Sequence, residues 1–145
     1  MNEKKNQIIK EDFDLAFQNH KKNNFKIAEN LYKKILKTDP NHFESIFLLG
    51  SLSAQTKNFN EAKQLHEKAI QINPDYADAH NNFGNVLIEL GDYQKAMGCF
   101  QKTIEIQPNF TQAHSNLGIV LKELGEYQKA ISCYEKAIQI NPNDA

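Results

Sequence analysis

Every proline in this 145-residue chain falls in one phase of one period: Pro40, Pro74, Pro108 and Pro142 stand 34 residues apart. Proline lacks a backbone N–H and pushes the residue before it out of the helical region, so each one marks a place where a helix must stop. Other columns recur in the same phase. Gly50, Gly84 and Gly118 form one, with Ala16 at the equivalent earlier place. Ala28, Ala62, Ala96 and Ala130 form a second; Tyr32, His66, Phe100 and Tyr134 a third; Phe25, Phe59, Tyr93 and Tyr127 a fourth. A repeat of this length is the signature of stacked helix–turn–helix units, whose function lies on a shared surface and not in one pocket.

The register divides the chain into a polar tail, 1–8, and units at 9–42, 43–76, 77–110 and 111–144. The third unit shows the reasoning. Ala79, Phe83, Val86, Leu87 and Leu90 recur at helical spacing. Gly91 breaks that pattern and Asp92 can cap the next helix. Tyr93, Ala96, Met97, Phe100, Ile104 and Ile106 make a second helical stripe, which Pro108 stops. The small columns let paired helices approach closely, and the bulky columns fill the space around them. No segment alternates with period 2, so no sheet is expected. The first unit departs most: Asp12 and Asn19 replace large residues and Ile35 replaces a small one.

Charge excludes several partners. Seventeen basic and 18 acidic side chains leave a net charge of −1, and every basic one is lysine. A nucleic-acid surface needs a basic surplus to neutralise phosphates, and none exists here. Without arginine, bidentate capture of a carboxylate or phosphate is also out of reach. No run of about 18 apolar residues is long enough to span a membrane. The N-terminus is too polar for a secretory signal. Two cysteines are too few for a disulfide framework. A cytoplasmic protein with neither nucleic-acid nor membrane partner is expected.

The columns resemble the tetratricopeptide repeat (TPR) family. In the fourth unit the motif is Asn116-Leu117-Gly118, Leu121, Gly125-Glu126-Tyr127, Ala130, Tyr134, Ala137 and Pro142. The resemblance covers residues 9–144 and implies an all-α fold, a right-handed α-solenoid of four 34-residue helix–turn–helix repeats. It also implies that the first helix of each unit lines a concave groove. Carried over by position, groove residues include Lys10, Phe13, Asp14, Phe17 and Lys21 in the first unit. They include Glu44, Phe47, Leu48, Ser51 and Gln55 in the second, and Asp78, Asn81, Asn82, Asn85 and Glu89 in the third. In the fourth they include Gln112, Ser115, Asn116, Ile119, Lys122 and Glu123.

Asn82 and Asn116 share a column. A side-chain amide both donates and accepts, so stacked amides can hold the backbone of an extended peptide without reading its side chains. The run Ala79-His80-Asn81-Asn82-Phe83-Gly84-Asn85 is similar to repeats of O-linked N-acetylglucosamine transferases. Asp14 and Leu48 break the ladder to two rungs. Abundant asparagine is the alternative explanation. Phe13, Phe17, Phe47 and Leu48 make the first half of the groove apolar, either to anchor a ligand or because Phe13 and Phe17 pack inward. The clamp for a terminal carboxylate found in chaperone-binding members is a poorer match, because Phe13, Phe17 and Ser51 stand where Lys and Asn would serve.

Other candidates fall to the period. His80 and His114 lie in one column, and equivalent residues on stacked repeats sit about 10 Å apart, too far to share a metal. They are read as packing residues. Cys99 and Cys133 are one period apart as well, beyond disulfide reach. The serines lie in no nucleophile motif, and the glycines form no phosphate loop. The chain alone is expected to be non-catalytic, with no cofactor or metal. Three functions are consistent with this pattern: a scaffold binding a peptide or protein segment in the groove, the substrate-presenting N-terminal repeats of a larger glycosyltransferase or sulfotransferase, or a structural spacer with no ligand of its own. The last helix keeps Ile131, Tyr134, Ile138 and Ile140 where a further unit would cover them. Either the chain is the first part of a longer array, or that end associates with itself or a partner.

Overall fold

The computed structural model describes residues 2–144. Eight α-helices succeed one another: α1 (Asn2–Lys21), α2 (Phe25–Thr38), α3 (Phe43–Gln55), α4 (Phe59–Ile72), α5 (Ala77–Glu89), α6 (Tyr93–Ile106), α7 (Thr111–Glu123) and α8 (Tyr127–Ile140). A 3-10 turn closes at Pro142–Asp144. No strand forms among the described residues. The helices belong to two compact units, residues 1–72 and 73–145. The first holds the hairpins α1–α2 and α3–α4, with α2 packed on α3. The second holds α5–α6 and α7–α8, with α6 packed on α7.

One device closes the first helix of every hairpin. Asn23, Lys57, Gly91 and Gly125 all take the left-handed conformation, with φ between 63° and 81°. The next residue then donates its N–H five residues back: Asn24 to Asn19, Asn58 to Ser53, Asp92 to Leu87 and Glu126 to Leu121. This Schellman arrangement satisfies carbonyls that the helix end would otherwise leave bare. Glycine adopts the conformation without strain, whereas Lys57 has a Cβ that collides with the neighbouring carbonyl. Lys57→Gly is therefore expected to stabilise the chain by about 0.5–1 kcal/mol. An unchanged or lower urea midpoint for K57G would show that this strain is absent.

The second helices stop as the prolines dictate. Asp39, Gln107 and Asn141 turn to extended backbone just before Pro40, Pro108 and Pro142. Each proline turn still carries a carbonyl, which finds different partners. Nε2 of His80 donates to Pro74 O at 2.7 Å, and Nε2 of His114 to Pro108 O at 2.8 Å. Ile46 fills that column after Pro40, so Lys68 Nζ reaches across from α4 to the Pro40 carbonyl at 2.7 Å. His80 and His114 are buried, and their rings tie each turn to the helix beyond it.

The core tracks the columns. Ala16, Ala28, Tyr32, Leu49 and Leu52 form the buried centre of the first unit. Ala79, Phe83, Val86, Leu87, Ala96 and Phe100 are buried in the second, with Ala113, Val120 and Leu121 beside them. Two expectations need correction. Leu90 lies on the surface, because it is the C-cap of α5 and faces out as the helix turns away. Residues 2–8, set apart above as a polar tail, are helical and form the first turns of α1. Glu3, Lys4, Lys5 and Gln7 all favour helix, and Glu3 suits the helix N-terminus. Ile9 is the first residue of α1 to be buried.

Candidate peptide-binding groove

In the second unit, α5 and α7 lie side by side on one surface. Asn85, Thr111, Gln112, Ser115 and Asn116 line an open cavity of about 570 Å³ there. Its lining carries amides and hydroxyls but no charge. These side chains offer both donors and acceptors to a ligand of mixed polarity, such as a peptide backbone. Asn85 and Gln112 are exposed, while Asn82, Ser115 and Asn116 are half-buried. Lys122 is exposed near the end of α7, outside that lining.

Asn81 differs from its expected place. It is 2 % exposed, so its side chain belongs to the interior and not to a groove wall. Its Oδ1 accepts a hydrogen bond from Asn116 Nδ2 at 3.3 Å. The bond explains how a buried amide is tolerated, since an unpaired one would cost about 1–3 kcal/mol. It also holds the amide of Asn116, which lines the cavity. Counting positions by the repeat alone does not reveal this pairing. The two asparagines are 35 residues apart, one more than the repeat, and that offset is the available signal.

The first unit presents a different surface. Phe13 and Phe17 stack on α1 with ring centres 6.3 Å apart and planes 3° from parallel. Lys21 Nζ lies 4.7 Å from the centre of the Phe17 ring, a cation–π contact. Phe13 also packs against the core, with its ring centre 6.2 Å from Tyr32 and 5.6 Å from His42. Phe17 is exposed. The pair therefore divides: Phe13 is largely structural and Phe17 faces solvent. On α3, Phe47 stacks on Phe43 and meets His66 edge-on at 6.0 Å. A second cavity, about 330 Å³, is lined by Asn6, Ile9, Lys10, Phe13, Asp39, His42 and Glu44.

Among the described residues no three His, Cys, Asp or Glu side chains come together as a metal site. Both cysteines are free, and burial pushes the Cys99 thiol up to about 11, away from the reactive thiolate. His20 is engaged structurally. Gln55 Oε1 can only accept, so Nε2 of His20 donates to it at 2.6 Å and Nδ1 accepts from the Tyr32 hydroxyl at 3.1 Å.

Sequence profiles of one family match almost the whole repeat region. Three profiles, each described as tetratricopeptide repeat, match residues 21–77, 53–118 and 111–144. The chain belongs to the tetratricopeptide repeat family. Among solved structures, this TPR chain is similar to MamA, with 25 % identity and a TM-score of 0.88 over 94 % of this chain and 80 % of that one. YrrB, described as a TPR protein with an unusual peptide-binding site, matches in fold at 24 % identity and a TM-score of 0.82. That match covers 90 % of this chain and 68 % of YrrB. An O-GlcNAc transferase from Thermobaculum terrenum matches at 26 % identity and a TM-score of 0.75, over 81 % of this chain but 22 % of the transferase. A search of curated protein sequences finds no match. No helix among the described residues is long and apolar enough to cross a membrane.

Proposed function

We propose that this TPR protein is a non-catalytic, cytoplasmic interaction scaffold that binds a peptide or protein segment on the first helices of its repeats. The uncharged amide- and hydroxyl-lined cavity between α5 and α7 carries the reading. Asn82, Asn85 and Asn116 hydrogen-bond the ligand backbone, with Gln112 and Ser115 beside them. In the first unit, Phe17 and Phe47 receive apolar side chains. Lys122 stands near the end of α7 and meets acidic ligand residues. The ligand is neither nucleic acid nor membrane, given a chain near neutrality. The fold shared with YrrB supports the class of function and leaves the ligand open.

The test is a peptide array probed with the purified chain, and then titration of the best binders. Asn82→Ala, Asn85→Ala and Asn116→Ala combined should weaken binding at least about tenfold, because each lost hydrogen bond is worth about 0.5–1.5 kcal/mol. Full affinity in the triple variant would remove the groove from consideration.

A second reading has its own observation. The match to the transferase spans 22 % of that protein, and repeats of this kind there accompany a much longer chain. This chain would then present substrates to a glycosyltransferase or sulfotransferase domain. Sequencing the coding region past Ala145 decides it: a stop codon there would end this second reading and leave the scaffold.

A further inference from the structure

We propose that Asn81, buried beneath the groove, is a positioning residue for ligand binding: it holds the Asn116 amide in one orientation against an incoming peptide backbone. The role rests on the peptide-binding reading of the surface on α5 and α7. Asn81 itself touches no ligand, being 2 % exposed. It acts through the hydrogen bond that its Oδ1 accepts from Asn116 Nδ2 at 3.3 Å. Asn116 is half-buried and lines the cavity.

Helix packing alone does not call for these amides. Two repeats earlier the same two positions hold Phe13 on α1 and Leu48 on α3. Both pack against the apolar core of the first unit. The repeat architecture therefore accepts apolar side chains there. Burying an amide costs free energy, and replacing both partners of a buried hydrogen bond by apolar groups is often close to neutral. What the pair supplies, and an apolar pair would not, is orientation.

That orientation matters because an asparagine amide is nearly symmetric in shape but not in chemistry: one end donates and the other accepts. A half-buried amide with no tether can turn over. Turning Asn116 alone would set its Oδ1 against Oδ1 of Asn81, two acceptors with no proton between them. The two amides are thus tied together, and Asn81 is held by the close-packed interior around it. Asn116 meets a ligand with its orientation already set, so less side-chain freedom is lost on binding.

Two measurements test this. In the unliganded chain, nuclear magnetic resonance should show the side-chain amide hydrogens of Asn116 exchanging more slowly than those of exposed Asn85. Asn81→Leu should remove that difference. The second measurement is titration with the tightest-binding peptide of the array, acetylated and amidated at its ends. N81L and Asn116→Ala should each weaken binding about two- to tenfold. The double variant should bind about as well as N116A alone, because Asn81 acts only through Asn116. Circular dichroism and urea midpoints check folding, and Asn81→Ala carries the same cycle if N81L does not fold. Equal exchange of the two amides in the parent, or losses that multiply in the double variant, would overturn the positioning role. Full affinity in N81L with a loss in N116A would remove this role and leave the groove standing. Full affinity in both, or an array on which nothing binds, would overturn the groove reading and this role together.

Discussion

Gly84→Ala is expected to cost about 2–3 kcal/mol of stability, against the usual helical preference for alanine. A Cβ at Gly84 would lie 2.5 Å from Phe100 Cε1, 2.7 Å from Cζ and 3.0 Å from Cδ1. Phe100 is fully buried, so its ring cannot swing into solvent. Either α5 and α6 separate or the ring leaves its rotamer. Both options disturb a close-packed interior, and overpacking of this kind typically costs about 1–3 kcal/mol or more. Alanine would return less than about 1 kcal/mol through helix propensity. The same column gives an internal control. At Gly118 the added Cβ would meet Tyr134 at 2.7 Å, but that ring is only half-buried and can slide outward. G118A should therefore cost less than G84A. Urea denaturation of the two variants, with amide exchange in α5 and α6, provides the measurement. Equal midpoints for G84A and the parent would mean that Gly84 is not a contact point. A double variant, G84A with Phe100→Leu, should recover part of the loss, because the smaller side chain vacates the space.

The repeats are legible in the sequence because each column answers a physical demand that does not depend on the partner. Pro40, Pro108 and Pro142 stop helices by local sterics, and the structure ends them within two residues of each. The Gly84 and Ala96 columns mark close approach, which only small side chains permit. What the period cannot supply is side-chain direction at the margin of a helix face. Asn81 and Asn82 are neighbours about 100° apart, and a count of positions places both in the groove. Packing turns Asn81 inward, where its Oδ1 accepts a hydrogen bond from Asn116. Phe13 and Phe17 divide in the same way, one against the core and one in solvent. The carbonyls of Pro74 and Pro108 are also unreadable as acceptors. Their pairing with His80 and His114 requires the turn geometry, although a histidine six residues after two prolines is visible in the chain. The polar start of α1 misleads for a different reason. Polarity and the repeat register set these residues apart as a tail, whereas good helix formers extend a helix that Ile9 and Ala16 already anchor.

Lowering the pH from 7 to 5 should remove about 2 kcal/mol of stability through His66 alone, and His66→Phe should abolish that loss. His66 is fully buried in α4, at the place held by Tyr32, Phe100 and Tyr134 in the other repeats. Neither ring nitrogen has a hydrogen-bond partner among the described residues. Burial drives its pKa down to about 4 from the ordinary 6.5. The neutral ring is tolerated in the fold, while the unfolded chain takes up a proton below pH 6.5. Between about pH 6.5 and 4 the unfolded state thus binds more protons, so stability is full above this window and falls as the pH drops through it. The complete shift corresponds to about 3 kcal/mol, most of it already lost by pH 5. Phenylalanine has no nitrogen to desolvate and no proton to bind. Its ring should rest on Gly50 as the Phe100 ring rests on Gly84. H66F is therefore expected to raise the urea midpoint at pH 7, because two unpaired polar atoms leave the core at about 1–3 kcal/mol each when fully buried. Parent and H66F should be compared at pH 7, 6 and 5, so that the other histidines cancel in the difference. A difference that does not widen as the pH falls would show that His66 titrates normally, and with it that the ring is not sealed from water.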